Sequence, residues 1–356
     1  MFFAIGRFPW LILAAGILSA CTGDTEGGST RPTFSTEAQP LNAEVIYASD
    51  SLGIPHLLTV AGEHLLVTDI GGGASLHVLK QGRRLASYGR KGQGPGEFSA
   101  IRTVQPSPDG RTVWLYDLEN TRLTLLDLDS VVAGSRGAVR QTVLLRANLG
   151  PMNAVRLSDS MIASSGLFTR GRLALFTGSG ALQRVVGPLP PAREGVPAPV
   201  AQHAYTGTLV RHPHRPLLAL ATRHADRVEF YGVDGTLHRV ARGPRNFEPV
   251  YEVQMAGGAP TMATGENLRF GYVDLAAAGE RLYALYSGFA RDERPGRANF
   301  GQQVHVFDWD GKLQRVLPLD QPVLGIAVSD DGQNIYAVRH DPEPAVLRYT
   351  VPAADR

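Results

Sequence analysis

A short strand pattern recurs six times along the chain, and it constrains the fold more than any other feature. The pattern is apolar, variable, apolar, apolar. It reads Leu76-His77-Val78-Leu79, Leu123-Thr124-Leu125-Leu126, Leu173-Ala174-Leu175-Phe176, Val228-Glu229-Phe230-Tyr231, Val304-His305-Val306-Phe307 and, more weakly, Leu347-Arg348-Tyr349-Thr350. The copies begin 47, 50, 55, 76 and 43 residues apart. A few residues before most copies lies another apolar run ending in a polar residue, as in Leu65–Asp69, Val113–Asp117, Leu218–Thr222 and Ile335–Arg339. Turn signals precede these runs at Ala61-Gly62-Glu63, Pro108-Asp109-Gly110, Ala278-Gly279-Glu280 and Asp330-Asp331-Gly332. Hairpin signals follow the third strand at Gln81-Gly82, Ser179-Gly180, Asp234-Gly235 and Asp310-Gly311.

Each unit is therefore strand, turn, strand, loop, strand, turn, strand. A four-stranded unit of this length is a propeller blade. Residues 42–356 divided by six give about 52 residues per blade, within the range of such repeats. The expected fold is all-β: a six-bladed β-propeller of four-stranded antiparallel blades. Glu44-Val45-Ile46-Tyr47-Ala48 lacks a partner in the first unit, and the last unit ends after its third strand near Tyr349. The N-terminal strand is thus expected to complete the sixth blade and close the ring, which removes exposed sheet edges. The composition agrees. The chain has 40 glycines and 24 prolines among 356 residues, suited to many turns, and 43% hydrophobic residues to fill a core. No long amphipathic helix is expected; the nearest candidate, Leu128 to Arg140, is broken by Gly134 and Gly137. Gly187–Val200, Arg242–Gly265 and Arg291–Asn299 stand out as insertions, where binding or mere surface decoration is expected.

Residues 1–20 are read as an address. Arg7 precedes an apolar run from Phe8 to Ala20, which as a helix spans about 20 Å, too short for a bilayer core. A secretory signal peptide is expected. The sequence Leu18-Ser19-Ala20-Cys21 resembles the lipobox of bacterial lipoproteins, which implies lipidation of Cys21, the one cysteine of the chain. Thr22 follows Cys21, so an outer-membrane anchor facing the periplasm or the surface is favoured. Residues 21–41 read as a flexible, lipid-anchored linker and 42–356 as the propeller.

Asp117-Leu118-Glu119-Asn120-Thr121-Arg122-Leu123 looks like an NHL-type repeat, as does Thr222-Arg223-His224-Ala225-Asp226-Arg227-Val228. Gly89-Arg90-Lys91-Gly92-Gln93-Gly94-Pro95-Gly96-Glu97-Phe98 is similar to the glycine-rich link between blades of such proteins. With the lipobox, the chain resembles bacterial six-bladed β-propeller lipoproteins called TolB-like or NHL-like, over about residues 42–350. Blades three and five depart from the pattern, with Ser165 and Ser287 where blades one and two have Asp69 and Asp117.

Chemistry is harder to read. A single cysteine excludes an internal disulfide and a multi-cysteine zinc site. There is no Gly-x-Ser-x-Gly and no His-Glu-x-x-His. A formal charge of +2 argues against a nucleic-acid partner. The glycine-rich link lacks the Lys-Ser/Thr ending of a phosphate loop, so a structural role is expected. His212 and His214 are read as a zinc pair or as solvated loop histidines, and the acidic turns at 308–311 and 329–332 as hairpin turns rather than calcium loops.

Polar residues on or near the first strands are His56, Arg102, Arg156, Arg211, Tyr272 and Asp274. Three arginines at a channel mouth would favour a carboxylate or phosphate; the alternative is that each pairs with a neighbour or faces solvent. Two functions are expected. The first is a lipid-anchored envelope module that binds a protein, peptide or glycan, with no cofactor. The second, taken from gluconolactonase-like propellers, is a metal-dependent hydrolase holding a divalent cation in the channel. Its candidate ligands are Glu44, Asp69, Asn153 and Asp274.

Overall fold

A computed structural model describes residues 39–353 except 136, 148 and 149. The expected signal peptide, Cys21 and most of the linker lie outside the described residues.

Six four-stranded antiparallel sheets form a closed ring. The inner strands of blades one to six are Pro55–Ala61, Ile101–Pro106, Pro151–Ser158, Gly207–Arg211, Tyr272–Ala278 and Gly325–Val328. Every copy of the recurring pattern lies on the third strand of its blade: Leu76–Lys80, Arg122–Asp127, Leu173–Thr177, Arg227–Gly232, Gly301–Asp308 and Ala345–Thr350. The turns fall where the glycines stood. Gly235 and Gly311, with φ of 92° and 78°, supply the left-handed residue after the third strands of blades four and five.

Blade packing explains the pattern. Six apolar clusters lie between successive blades, and the one joining blades six and one contains Leu58, Val67 and Leu79 with Ala327, Val338 and Val346. A third strand is therefore covered on both faces. The variable position of the pattern is buried too, at His77, Thr124, Ala174, Glu229 and His305. Polar residues placed there need internal partners.

The N-terminal strand Glu44–Ala48 pairs antiparallel with Ala345–Thr350, matching Glu44 to Arg348 and Ala48 to Ala345. It is the outer strand of blade six, as the sequence predicts. Ile46 and Tyr47 pack against the cluster between blades six and one.

Several local expectations are refined. The register places Gly166 and Tyr286, not Ser165 and Ser287, at the position of Asp69 and Asp117. Each of these four pairs with the first residue of its inner strand: Pro151, Tyr272, Pro55 and Ile101. Leu128–Val132 forms one short helical turn, capped by Asp127, whose carboxylate accepts the Ser130 N–H at 2.7 Å. The proline-rich insertion leads into a helix, Ala198–Ala204, that the sequence reading did not anticipate. The next insertion folds into a two-stranded ribbon, Glu252–Ala256 with Ala259–Ala263. The glycine-rich link is structural: Phe98 is buried, and Arg122 donates to the carbonyls of Gln93 at 2.8 Å and Glu97 at 2.6 Å.

Candidate functional site

Strand direction sorts the loops. Inner strands all begin at one end of the channel, where the links between blades and the loops from second to third strands also lie. Inner strands end at the other, where the tight turns sit. Segments 187–206 and 243–271 precede the inner strands of blades four and five, and 287–300 joins the second and third strands of blade five. All three insertions therefore stand at the same end, over neighbouring blades.

The same logic divides the six residues singled out from the sequence. His56, Arg102 and Asp274 lie at the insertion end. The His56 Nε2–H donates to the Ile101 carbonyl at 3.1 Å, which leaves Nδ1 facing the Thr68 hydroxyl at 3.1 Å. Burial lowers the His56 pKa below the ordinary histidine value. Arg102 is exposed. Asp274 is 5% exposed, and its Oδ2 accepts the Ile326 N–H at 2.9 Å. Burial pushes its carboxyl up to about 7, against the pull of the Ile326 and Leu275 amides and Arg223.

Arg156 and Arg211 sit at the opposite end and are engaged by backbone. Arg156 donates to the carbonyls of Gly178 at 3.2 Å and Asp159 at 2.7 Å, with its guanidinium 4.6 Å from the centre of the Trp114 ring. Arg211 donates to the carbonyls of Arg156, Leu157, His212 and Pro213 at 2.8–3.3 Å. It ties blade four to blade three. Tyr272 points away from the channel: it is 1% exposed and its hydroxyl meets His305 Nδ1 at 3.1 Å. The structure thus does not bring the six together.

Arg223 is the residue that sequence reasoning missed at this end. It follows the second strand of blade four, Leu217–Thr222. Its N–H donates to Thr206 at 2.9 Å, and its carbonyl accepts from Gly271 at 2.8 Å. Its side chain is half-buried. That burial lowers its proton affinity; nearby Arg102 adds to the effect and Asp274 opposes it. The signal lay in Thr222–Val228, which read as architecture.

The candidate metal ligands do not converge. Glu44 is on the outer rim, paired with Arg348. Asp69 accepts the amides of Gly53, Ile54, Gly71 and Gly72 at 2.7–3.0 Å. The Asn153 amide donates to the Gly207 carbonyl at 2.7 Å. No group of three His, Cys, Asp or Glu among the described residues could hold a metal ion. His212 corrects a further expectation. Rather than a solvated loop histidine, it is fully buried against Trp309, and its Nδ1 accepts the N–H groups of His214 and Arg215 at 3.0 and 3.1 Å. It fastens the turn that ends the blade-four inner strand. From that same end a cavity of about 400 Å³ runs inward, lined by Leu58, Val104, Leu209, Leu275 and Ile326.

A family model described as TolB-like 6-blade propeller-like matches residues 34–331. No curated protein matches. Among solved structures, "Structure of U3-55K" is similar at a TM-score of 0.53 and 10% identity, covering 88% of this chain and 100% of that one. "Crystal structure of RRP9 WD40 repeats" is similar at 0.53 and 10%, covering 88% and 99%. At these identities the likeness concerns the fold alone.

Proposed function

The chain belongs to the TolB-like six-bladed propeller family, and from that premise we propose that it is a binding module of the bacterial cell envelope. In this reading a lipid on Cys21 holds it to the membrane, and the insertion face grips a protein or peptide. The observation that carries the reading is the small core the insertions build for themselves. Val200, Ala204 and Tyr205 pack with Ala225 and Tyr251, and Val196 and Met262 close around them. Arg193 lies over the Tyr251 ring, 4.5 Å from its centre. Surface decoration needs no core of its own. A pre-ordered platform lowers the entropy cost of binding.

The ribbon and the segment leading into it present apolar side chains to solvent. Val250, Val253 and Met255 are 47%, 41% and 68% exposed, and every residue of Glu252–Ala256 is exposed. Clustered apolar exposure at a loop face suits a protein or peptide better than a glycan. The four residues that a metal-dependent hydrolase would need as ligands, Glu44, Asp69, Asn153 and Asp274, each bond to separate partners.

The test places a photo-crosslinking residue at Met255 of the full chain in its native membrane, and separately at Glu63 on the opposite end. Protein adducts from position 255 but not from 63 are expected. Equal yields, or none, overturn the reading. Cys21→Ser is expected to release the chain from the membrane fraction; a variant that still incorporates labelled lipid refutes the anchor.

A further inference from the structure

We infer that the ribbon of the second insertion is an open docking edge, along which an extended peptide with apolar side chains at alternate positions adds a third strand. The inference rests on the partner-binding reading above and specifies how the partner is held.

The register sets which backbone groups are free. Ala256 and Ala259 flank the two-residue turn Gly257-Gly258, whose φ angles of 58° and 79° are those of a tight hairpin. In such a hairpin the flanking residues exchange both backbone bonds, and the opposed pairs beyond them alternate. Met255 with Pro260 and Val253 with Met262 are therefore the pairs without mutual bonds. Pro260 fits this place, since it has no N–H to give. It follows that Val253 and Met255 turn their N–H and C=O groups away from Ala259–Ala263. Neither backbone bonds to another element among the described residues.

Opposed residues share a face of the ribbon. Val253 lies on the face of Met262, which packs against the small core of the insertions, and Met255 comes next on that face. The ribbon thus carries the apolar surface of that core outward as a ledge that ends at the free edge. A strand laid along the edge sets every second side chain on this ledge. Those same residues oppose Val253 and Met255, so they also make the backbone bonds. Apolar residues suit these positions.

The ring guards its own edges. The outer strand of every blade pairs through a register shift and bears charge, with Arg83, Arg140, Arg184, Arg239, Arg315 and Glu44 in blades one to five and then six. Bulges and charges keep a free edge from pairing with another chain. The far side of the ribbon is guarded too. Pro260 withholds an N–H there, and the helix Ala198–Ala204 lies beside Ala259–Ala263. Glu252–Ala256 pairs without a shift, contains no proline or lysine, and is exposed throughout. Only Glu252, at its start, is charged. An edge left regular and apolar is fitted for strand addition. Its five residues bury far less than the roughly 1,200 Å² of a stable interface between folded proteins. A second copy of this chain gains little from it, whereas a peptide held by main-chain bonds needs only the edge and the ledge.

The test titrates the full chain into a fluorescently labelled peptide, Lys-Val-Thr-Val-Thr-Val-Lys, and reads anisotropy. The parent is expected to bind it, and not the same peptide N-methylated at its valines. Met255→Pro removes one outward N–H and is expected to weaken binding tenfold or more. Val253→Pro, at the other outward position, serves as a second variant, and thermal melts establish that the ring of each still folds. Met255→Thr keeps the N–H and is expected to weaken binding less than Met255→Pro. No binding by the parent, binding of the methylated peptide, binding that survives both proline variants, or an equal loss in Met255→Thr and Met255→Pro overturns the edge. A parent that dimerises, with the dimer lost in Met255→Pro, overturns the peptide as its occupant.

Photo-crosslinking from position 250 in the native membrane separates this inference from the reading it rests on. Protein adducts that persist in Met255→Pro overturn the edge and leave the partner reading standing. Peptide binding that follows the expected pattern, with no adducts in the parent, upholds the edge and overturns the partner reading alone.

Discussion

Arg172 of blade three and Glu229 of blade four are joined at 2.8 Å in the interior of the ring, with neither side chain more than 1% exposed. The Arg172 guanidinium also donates to the Tyr205 carbonyl at 2.7 Å, and Glu229 accepts from Arg227 at 2.8 Å. Burial pushes the Glu229 carboxyl up, but its two guanidinium partners more than offset this and hold it ionised. Glu229 occupies the variable position of the recurring strand, so the pattern at this copy is completed from another blade.

Glu229→Gln leaves two buried cations without their counter-charge. The expected loss is about 3–5 kcal/mol of folding stability. Chemical denaturation measures it, and a loss below about 1 kcal/mol contradicts the assignment.

Asp69 gathers four backbone N–H groups and His77 into the loop that opens blade one. Asp69→Ala is expected to cost about 2 kcal/mol or more. Burial raises the Asp69 pKa, but the His77 bond and the Gly53, Ile54 and Gly72 amides lower it further, to well below the usual carboxylate range. The unfolded chain then binds more protons than the folded one in acid. The stabilisation is complete above about pH 4 and is lost as pH falls toward the folded value. The stability gap between the parent and Asp69→Asn should therefore narrow on acidification, as read from denaturation curves between pH 5 and 2.

Asp274 predicts the opposite slope. Its folded pKa, pushed up by burial to about 7, exceeds the unfolded one. The folded state binds more protons in the window between, so this group stabilises below the unfolded value and the contribution fades as pH rises toward 7. Asp274→Asn keeps an acceptor for the Ile326 amide and cannot ionise. Its stability relative to the parent should climb from pH 4 to 8, by up to about 1.4 kcal/mol per unit. A flat difference contradicts the reading. Arg223 and the Ile326 and Leu275 amides act on the same carboxyl, so the profile should shift in Arg223→Gln.

Deleting residues 42–48 removes the outer strand of blade six and the cover that Ile46 and Tyr47 give its junction with blade one. The exposed edge of Ala345–Thr350 then becomes a template for another chain. We expect a melting temperature lower by ~5 °C or more and concentration-dependent association. Unchanged melting and light scattering would argue against closure by this strand.

The channel cluster shows where sequence reading stops. Arg102, Arg156 and Arg211 look alike on paper, each next to an inner strand. Yet Arg211 reaches carbonyls of Arg156 and Leu157, some 55 residues away, while Arg102 reaches none. Arg223 carried no mark beyond its place in a repeat.

The blade count, the third strands, the tight turns and the closing N-terminal strand were all set by local chemistry. A period-two apolar pattern, a glycine at positive φ and a sheet edge that must be paired act over a few residues, so they are legible in order along the chain. The buried fate of the variable positions, the gathering of three insertions on one face and the sorting of the arginines were decided only by the closed ring. The ring sets residues from different blades side by side. A long guanidinium takes whichever oxygen atoms that assembly puts within reach, and their positions are not encoded near it in the sequence.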